Sequence, residues 1–306
     1  MKPYLAPNRI PSSGIILLIV GSLILGIAIG VLAYFVSNLI YYIFAFSLVV
    51  GGATMIAYYK LLQFAKVRHS IIAALMGLII GLLVALTYYA TPYWILRNEF
   101  ITNAQQNYHA SAEKASAAFD KILIEGTGTG GFVGYMKLRA KEGDHFTNYV
   151  VANGMPILEF SFALKSTWAW LYWLLETVFF SIPTAWTGYD VGKRAFSESA
   201  NDWYNPLPKQ ICALPSESKE KILTLLKGNS LQEISELAIA EEEITHPMIE
   251  IYEQRSNNKK GDILLSVKQT YRDHKEKIKR NVIAQWEVSD PKYTSFVNAV
   301  NRRLAK

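Results

Sequence analysis

Residues 14–36 read GIILLIVGSLILGIAIGVLAYFV, a stretch without a charged side chain. Roughly 20 helical residues cross a hydrocarbon core about 30 Å thick, so this stretch is long enough to span a membrane. Two similar stretches follow at residues 40–59 and 71–89, and residues 1–91 contain no Asp or Glu. The first third of the chain therefore predicts three transmembrane helices.

A fourth stretch, residues 166–187, is rich in aromatic side chains and predicts a fourth span. Trp and Tyr concentrate at the interfaces between membrane and water. The tryptophans beside and within these spans are accordingly predicted to be interface anchors: Trp94, Trp168, Trp170, Trp173 and Trp186. The predicted fold class is a membrane α-helical bundle of four transmembrane helices with small α+β domains on both sides.

The basic residues predict how the spans are oriented, because Lys and Arg near membrane segments favour the cytoplasmic side. In residues 1–91 they lie before the first span and between the second and third: Lys2, Arg9, Lys60, Lys66 and Arg68. The N-terminus is then cytoplasmic, residues 92–165 are extracytoplasmic and residues 188–306 are cytoplasmic. We therefore expect a protein integral to the bacterial inner membrane, with both termini in the cytoplasm and in contact with membrane lipids.

The region 92–165 is predicted to be a helix followed by an antiparallel meander. Apolar positions keep a helical repeat over residues 97–125, and a Gly-rich break follows at 126–131. Strand-like patterns with turn residues between them then come in the order 132–140, 145–152 and 156–164.

The region 188–306 is predicted to be a compact α+β domain. One short helix starts at Ser216 or Ser218, and a second starts at Ser230, which with Glu233 fits a capping box. Strand-like runs and a last helix follow, at residues 248–255, 263–271, 277–288 and 291–303. The single cysteine, Cys212, excludes an internal disulfide.

Glu176 is the candidate polar site, because it is the only formal charge within a predicted span. Carboxylates inside a membrane are costly and tend to face the bundle interior or a water path. It either relays protons or ions, or it bonds neighbouring helices through a hydroxyl. The candidate hydroxyls lie in the other spans: Ser22, Ser47, Thr54 and Thr87.

Glycines at four-residue spacing lie in the first span, Gly26 and Gly30, and in the third, Gly77 and Gly81. This spacing puts two glycines on one helix face and lets two backbones approach closely. We predict that these faces pack inside the bundle, and the alternative is that they form a homo-oligomer.

Other motifs give no catalytic, metal or cofactor site. The run from Gly126 to Gly131 lacks the Lys and the preceding strand of a phosphate-binding loop, which favours a flexible hinge. Glu241–Glu243 with His246 is better explained as a solvated helix end than as metal ligands. Nucleic acid is not an expected partner, because the basic residues do not cluster with stacking aromatics. Basic residues near 277–280 favour either lipid headgroups or ordinary solubility.

The strings Gly131-Phe-Val-Gly-Tyr-Met-Lys-Leu-Arg-Ala140, Trp170-Leu-Tyr-Trp-Leu-Leu-Glu176, Gly192-Lys-Arg-Ala-Phe196 and Trp203-Tyr204 carry a resemblance. They are similar to those of uncharacterised bacterial four-span membrane proteins, which have no known activity. The resemblance implies a Cys-x-x-Cys pair before the Trp-Tyr, but this chain has Ser197, Ser199 and Ala200 there. A metal-binding role of that segment is therefore absent here.

The sequence predicts the location of the protein better than its activity. The leading hypothesis is a non-enzymatic interaction or scaffold subunit that couples an external domain to a cytoplasmic one, with a protein partner or a second copy. The alternative is a small-solute or ion pathway that uses Glu176, and a membrane-bound enzyme comes third. A scaffold requires a stable partner, a pathway requires flux that depends on Glu176, and an enzyme requires at least two titratable groups within reach of each other.

Overall fold

The chain folds into two compact units. The computed structural model describes residues 1–4, 10–38, 45–152, 155–239, 247–256, 261–274 and 276–305, with the backbone alone for 144–163. Arg9–Gly192 form the first unit, called here the helical unit. Met1–Asn8 and Lys193–Lys306 form the second, called here the sheet unit. The first residues of the chain thus fold with its C-terminal part.

The helical unit contains six described helices and one hairpin. In chain order the elements up to Gly192 are β1 Lys2–Pro3, α1 Ser12–Ser37, α2 Ala45–Ala65, α3 Ser70–Tyr108, α4 Ala112–Thr127, α5 Gly131–Glu142, β2 Asp144–Ala152, β3 Met155–Leu164 and α6 Thr167–Val191. By length and composition, three of the described helices are able to cross a membrane, namely α1, α2 and α3. This supports the coarser prediction of a membrane protein.

Close backbone approaches fix the directions of the long helices. Gly26 lies against Leu83 and Gly30 against Thr87, so α1 and α3 run parallel. Gly77 lies against Thr184 and Gly81 against Ser181, so α3 and α6 run antiparallel. Glycine permits these approaches because it has no Cβ.

One end of the bundle gathers four helix termini. Gly14 near the start of α1 lies against Ala65 at the end of α2, and Gly192 after α6 lies against Ser70 at the start of α3. His69 caps α3 there, because its Nδ1 accepts the N–H of Ile72 at 3.3 Å. The chain therefore enters and leaves the bundle at the same end.

The predicted helix over 97–125 is corrected to two helices. α3 continues through Pro92 as far as Tyr108, and His109 then adopts a left-handed φ of 49°, which ends it. The Ser111 hydroxyl accepts the N–H of Lys114 and starts α4. The helical repeat in the sequence persists on both sides of this turn, so periodicity alone does not reveal the break.

The predicted strand over 132–140 is wrong, because these residues belong to helix α5. Tyr135, Met136 and Ala140 are its buried residues, at helical spacing. Gly131 begins the helix at a positive φ of 65° and donates its N–H to Asp120 Oδ1 at 3.0 Å. A short apolar run does not by itself distinguish a strand from a buried helix.

The other two strands predicted in this region form the hairpin of β2 and β3, with Asp144 opposite Leu164 and Ala152 opposite Met155. Their predicted turn, Asn153–Gly154, lies outside the described residues. The Gly-rich run predicted to be a hinge contains the turn between α4 and α5, where Gly128 has a φ of 77°.

The sheet unit is an antiparallel sheet with helices on one face. Its further elements are β4 Phe196–Ser197, β5 Asp202–Trp203, β6 Lys209–Pro215, α7 Lys219–Lys227, α8 Leu231–Ser235, β7 Met248–Gln254, β8 Ile263–Arg272, β9 Ile278–Val288 and α9 Asp290–Leu304. The strand order is β1-β9-β8-β7-β6, and β4 pairs with β5 separately. The sequence predicted β7, β8, β9 and the three helices, but not β6 or β1. The Ser230 side chain makes no capping bond, in contrast to the predicted capping box.

The core of the sheet unit lies between the sheet and its helices. Side chains from both layers are buried together there, among them Leu226, Ile234, Val267, Trp286 and Phe296. Cys212 on β6 belongs to this core, and burial raises its pKa to about 12, so the thiol is unreactive at neutral pH.

β1 joins the two ends of the chain. Lys2 pairs with Glu287 and Pro3 with Trp286 on β9, and the Tyr4 hydroxyl accepts the N–H of Phe196 at 2.9 Å. This pairing places the N-terminus in the same folded unit as residues 193–306.

Candidate functional site

Glu176 on α6 accepts hydrogen bonds from three hydroxyl groups, which lie on three helices. Ser47 Oγ donates to Oε1 at 2.6 Å, and the Tyr172 hydroxyl donates to the same oxygen at 2.8 Å. The Tyr89 hydroxyl donates to Oε2 at 2.7 Å. The residue is 1% exposed. The carboxyl group therefore connects α6 to both α2 and α3.

The local sequence explains how these groups meet. Tyr172 precedes Glu176 by one helical turn, so both side chains lie on the same face of α6. α2 runs parallel to α6, with Gly51 against Phe179 and Ser47 one turn earlier. α3 runs antiparallel to α6 and brings Tyr89 to the carboxyl group, where its hydroxyl also lies 3.4 Å from the Trp173 carbonyl oxygen.

Aromatic rings enclose this site. Tyr88 packs on Tyr89 with 5.0 Å between ring centroids, and Tyr89 packs on Trp173 at 6.0 Å. The Arg139 guanidinium on α5 lies 5.5 Å from the centre of the Trp173 ring, in cation–π geometry. These large side chains exclude water, so the hydroxyls take the place of hydration around the carboxyl group.

The site has the geometry of a bond between helices. The carboxyl group has two acceptor oxygens, and three O–H donors of the described residues reach them. Each donor would lose its partner if the carboxyl group were removed, which is costly in a dry interior. The arrangement suits the interhelical interpretation of Glu176 better than a water path.

Of the four hydroxyls predicted to partner Glu176, Ser47 is the one that bonds to it. The Thr54 hydroxyl donates to the Val50 carbonyl in its own helix, and Ser22 Oγ is buried with no hydrogen-bond partner among the described residues. The sequence does not predict the two tyrosine donors. The spacing of Tyr172 from Glu176 is a usable signal, but nothing local in the sequence links Tyr89 to Glu176.

The four glycines singled out from the sequence all face neighbouring helices of the same chain. A methyl group added at Gly26 would lie 2.7 Å from Leu83 Cβ, and one added at Gly30 would lie 2.7 Å from the Val84 carbonyl oxygen. Gly77 and Gly81 meet the α6 backbone even more closely. Intramolecular contacts therefore occupy these glycine faces in this chain.

Four of the five tryptophans proposed as interface anchors are exposed on the helical unit: Trp94, Trp168, Trp170 and Trp186. Trp173 differs, because it is 3% exposed and lies against Tyr89 and under Arg139. Its neighbour Trp170 covers it, with 5.1 Å between ring centroids. Trp173 is part of the wall around Glu176 rather than a lipid-facing anchor.

Within the described ranges, no three His, Cys, Asp or Glu side chains gather in a way that could hold a metal ion. Glu241–Glu243 and His246 lie outside those ranges. In the segment where the resembling proteins carry a cysteine pair, Ser197 Oγ instead accepts the N–H of Ala200 at 3.2 Å. The Asp120 carboxylate accepts the N–H of Gly131, the first residue of α5. A side chain of this protein thus takes the place that a bound anion would have at the start of that helix.

A second buried carboxylate, Glu250 on β7, lies in the sheet unit and is also 1% exposed. The Tyr252 hydroxyl donates to its Oε2 at 2.6 Å and Arg280 Nε donates to the same oxygen at 2.9 Å. Burial alone would raise the pKa of Glu250, but these hydrogen bonds outweigh it and hold the pKa below its ordinary value. Burial and the same contact with Glu250 raise the pKa of Tyr252 to about 12.

Comparison of the chain with models of protein families, with curated proteins and with solved structures finds no match. The similarity to uncharacterised four-span proteins stays a prediction. The function is consequently argued from the contacts within this chain.

Proposed function

We propose that this protein is a four-span scaffold subunit of the bacterial inner membrane that couples an external helical element to its cytoplasmic sheet unit. The observation that carries this proposal is the length of α3, a single helix of 39 residues. At 1.5 Å per residue it extends about 58 Å, almost twice a hydrocarbon core of about 30 Å. Its two ends therefore belong to opposite sides of a membrane.

Parity of membrane crossings supports α6 as the fourth span. β1 before α1 pairs with β9 after α6, so both ends of the bundle must lie on one side. α1, α2 and α3 give three crossings, and an odd number would separate β1 from β9. A crossing by α6, which is 25 residues long and packs along α3, restores an even number.

Charge supports a cytoplasmic location for this end. Lys66 and Arg68 lie between α2 and α3, and Lys193 and Arg194 directly follow Gly192. Positive residues at membrane ends favour the cytoplasmic face. The opposite end, where α3 continues to Tyr108 and α4 and α5 pack on it, is then external.

The contacts of Glu176 support a structural role within this scaffold. The three hydroxyl donors named above come from α2, α3 and α6, and Glu176 is 1% exposed. A solute or ion pathway, the second hypothesis, would need a hydrated route to this carboxyl group. We infer that Glu176 fixes α3 against α2 and α6, so that α3 moves as part of one rigid bundle.

Affinity capture of the tagged protein from its native membrane, in mild detergent, tests the scaffold. We expect one other protein at fixed stoichiometry, and its binding should slow amide hydrogen exchange at the far end of α3. Recovery of nothing but this chain would contradict the proposal and would direct attention to flux assays on Glu176 variants.

An insertion of two glycines between Asn98 and Glu99, both exposed on α3, tests the coupling itself. We expect the partner to bind as before but no longer to slow amide hydrogen exchange in α4 and α5. The matched control inserts the same two residues after Gly128, beyond α4. The coupling would be refuted if the partner still slowed amide exchange in α4 of the variant with the α3 insertion.

A further inference from the structure

The sheet of the sheet unit has two different faces. Helices α7, α8 and α9 cover one face and form the core with it. On the other face, at the end formed by the second half of β8 and the first half of β9, side chains remain exposed. Register on this face places Lys268 opposite Val282, Thr270 opposite Arg280, and Arg272 opposite Ile278. Thr270 itself is buried, and Lys268 is half-buried. We call this surface, defined by Lys268, Arg272, Ile278, Arg280 and Val282, the open face.

Two cations of the open face are held in place by buried groups. Arg280 Nε donates to Glu250 at 2.9 Å while half of the Arg280 side chain stays exposed, at 49%. Lys268 Nζ lies 4.1 Å from the centre of the Tyr252 ring, and the Tyr252 hydroxyl bonds to Glu250. These contacts restrict the side chains before any ligand binds, which lowers the entropic cost of binding.

The charges of the open face favour an added anion. Residues 268–282 contain six Lys or Arg and two Asp or Glu. Burial and the neighbouring charge of Arg280 lower the pKa of Lys268, so Glu250 does not fully compensate the two cations. A phosphate group near Lys268 and Arg280 would relieve their repulsion.

Aliphatic side chains lie among these cations. Ile278 is 48% exposed and Val282 is 54% exposed, one on each side of Arg280 along β9. Exposed aliphatic groups surrounded by Lys and Arg are typical of surfaces that lie in the headgroup region of a membrane. The aliphatic parts enter the boundary with the acyl chains while the cations stay at the level of the phosphates.

We propose that the open face binds anionic phospholipid headgroups. The chain itself favours this occupant over an acidic protein, because the sheet unit begins at Lys193, directly after the last residue of the helical unit. A lipid surface also accounts for the exposed Ile278 and Val282 together with the charges. This proposal is independent of the coupling role, since it requires no partner protein.

The test uses the full-length protein in nanodiscs and an environment-sensitive fluorophore at Val282→Cys. The native Cys212 is buried in the core with a raised pKa and does not compete for the label. The matched control carries the label at Leu207→Cys, which is 81% exposed elsewhere on the sheet unit. Discs contain phosphatidylcholine alone or an equal mixture with phosphatidylglycerol.

We expect a blue shift of the emission at position 282 in the anionic discs, reversed by high salt, and no shift at position 207. The double variant Lys268→Gln/Arg272→Gln, on the open face, should lose the shift, whereas Lys209→Gln/Lys292→Gln, at exposed positions elsewhere, should keep it. Equal emission in the two lipid compositions would overturn the proposal. So would a shift that appears only when soluble protein from the native cell is added.

Discussion

Two carboxyl groups that are buried among the described residues are bound in opposite ways. Glu176 in the helical unit and Glu250 in the sheet unit are both 1% exposed. Three neutral hydroxyls bind Glu176, whereas a guanidinium and one hydroxyl bind Glu250. The Arg280 guanidinium is half exposed, so its charge remains partly hydrated.

The difference follows from where a cation can reach water. At the half-exposed position of Arg280 in the sheet unit, an Arg can bury one N–H and keep the rest of its guanidinium hydrated. Deep among apolar helices a buried cation would add its own desolvation cost, which an ion pair does not always recover. Hydroxyls bind the carboxyl group there without that cost.

Removal of the acceptor at Glu176 should have the largest effect. Glu176→Ala leaves Ser47, Tyr89 and Tyr172 without their shared partner, and we expect a loss of about 3 kcal/mol or more. Thermal unfolding of the purified protein in detergent measures it. Glu176→Gln is the control, since it retains one acceptor oxygen and should lose much less. Equal melting temperatures of Glu176→Ala and wild type would show that this carboxyl group does not hold the helices.

Removal of the cation at Arg280 should come next, at about 2 kcal/mol, because it leaves Glu250 buried with Tyr252 as its remaining strong donor. Amide hydrogen exchange of β7 and β8 reports the local free energy of opening. The double variant Arg280→Met/Glu250→Gln should recover part of the loss. If the double variant is as unstable as the sum of both single changes, the pair does not act as a unit.

Loss of a single hydroxyl should cost about 1 kcal/mol in either unit, since each Tyr→Phe change keeps the ring and removes one hydrogen bond. Tyr89→Phe and Tyr172→Phe test the helical unit by melting, and Tyr252→Phe tests the sheet unit by hydrogen exchange. Tyr59→Phe provides a comparison at a half-buried ring away from Glu176. A Tyr89→Phe variant with wild-type melting would remove Tyr89 from the account of the site.

A decrease in pH should weaken the sheet unit through Glu250. Its pKa in the folded protein lies below the ordinary 4.5, so its contribution is present above that pH and is lost as pH falls through the lower value. Hydrogen exchange or melting, measured from neutral to acid pH, should show that the free energy of unfolding declines below about pH 4.5. The decline should be smaller in Glu250→Gln.

Glu287 provides a control of opposite sign for this pH effect. Burial raises its pKa above the ordinary value, so its protonation favours the folded state as pH falls. In Glu287→Gln the free energy of unfolding should therefore decline below pH 4.5 by as much as in the wild type or by more. An equal acid response in Glu250→Gln and wild type would contradict the assignment to Glu250.

The smallest effect is expected at the ion pair of Lys279 with Asp273, whose nitrogen and oxygen lie 3.2 Å apart. The Asp273 side chain is 8% exposed, but it keeps the Lys277 N–H as a donor when the lysine is removed. Lys279 is 54% exposed, so Lys279→Ala should change stability by about 0.5 kcal/mol or less and the change should vanish in high salt. A larger loss of stability that does not depend on salt would show that this ion pair contributes as much as that of Arg280 with Glu250.

The sequence predicted the helices and strands whose signals are local. α1 is apolar on every face and has no charged residue. β7, β8 and β9 are strand-like runs separated by polar turn segments. Both patterns are unambiguous. The strand expected over 132–140 was wrong, because Tyr135 and Met136 are adjacent apolar residues that suit either period. The two-residue strand β1 carries no pattern at all, and its existence depends on β9, far away in the chain.

The candidate site shows the same division between local and long-range information. Composition alone identified Glu176, because a carboxylate without a neighbouring charge is conspicuous in an apolar segment. Its acceptance of the Tyr89 hydroxyl depends on the antiparallel approach of α3 and α6, which glycines allow but do not dictate. The sequence does not predict a site at Glu250, because its partner Arg280 is thirty residues away and two strands across the sheet.

The sequence by itself determined that three segments are apolar and long enough to cross a membrane, and that the aromatic-rich stretch 166–187 contains one carboxyl group. Transfer free energy depends on composition, so it can be read without a fold. Only the tertiary structure decided which hydroxyls bind that carboxyl group, and that the first residues of the chain complete the C-terminal sheet. Hydrogen bonds require atoms within about 3 Å of each other, and the packing of distant segments alone sets such distances.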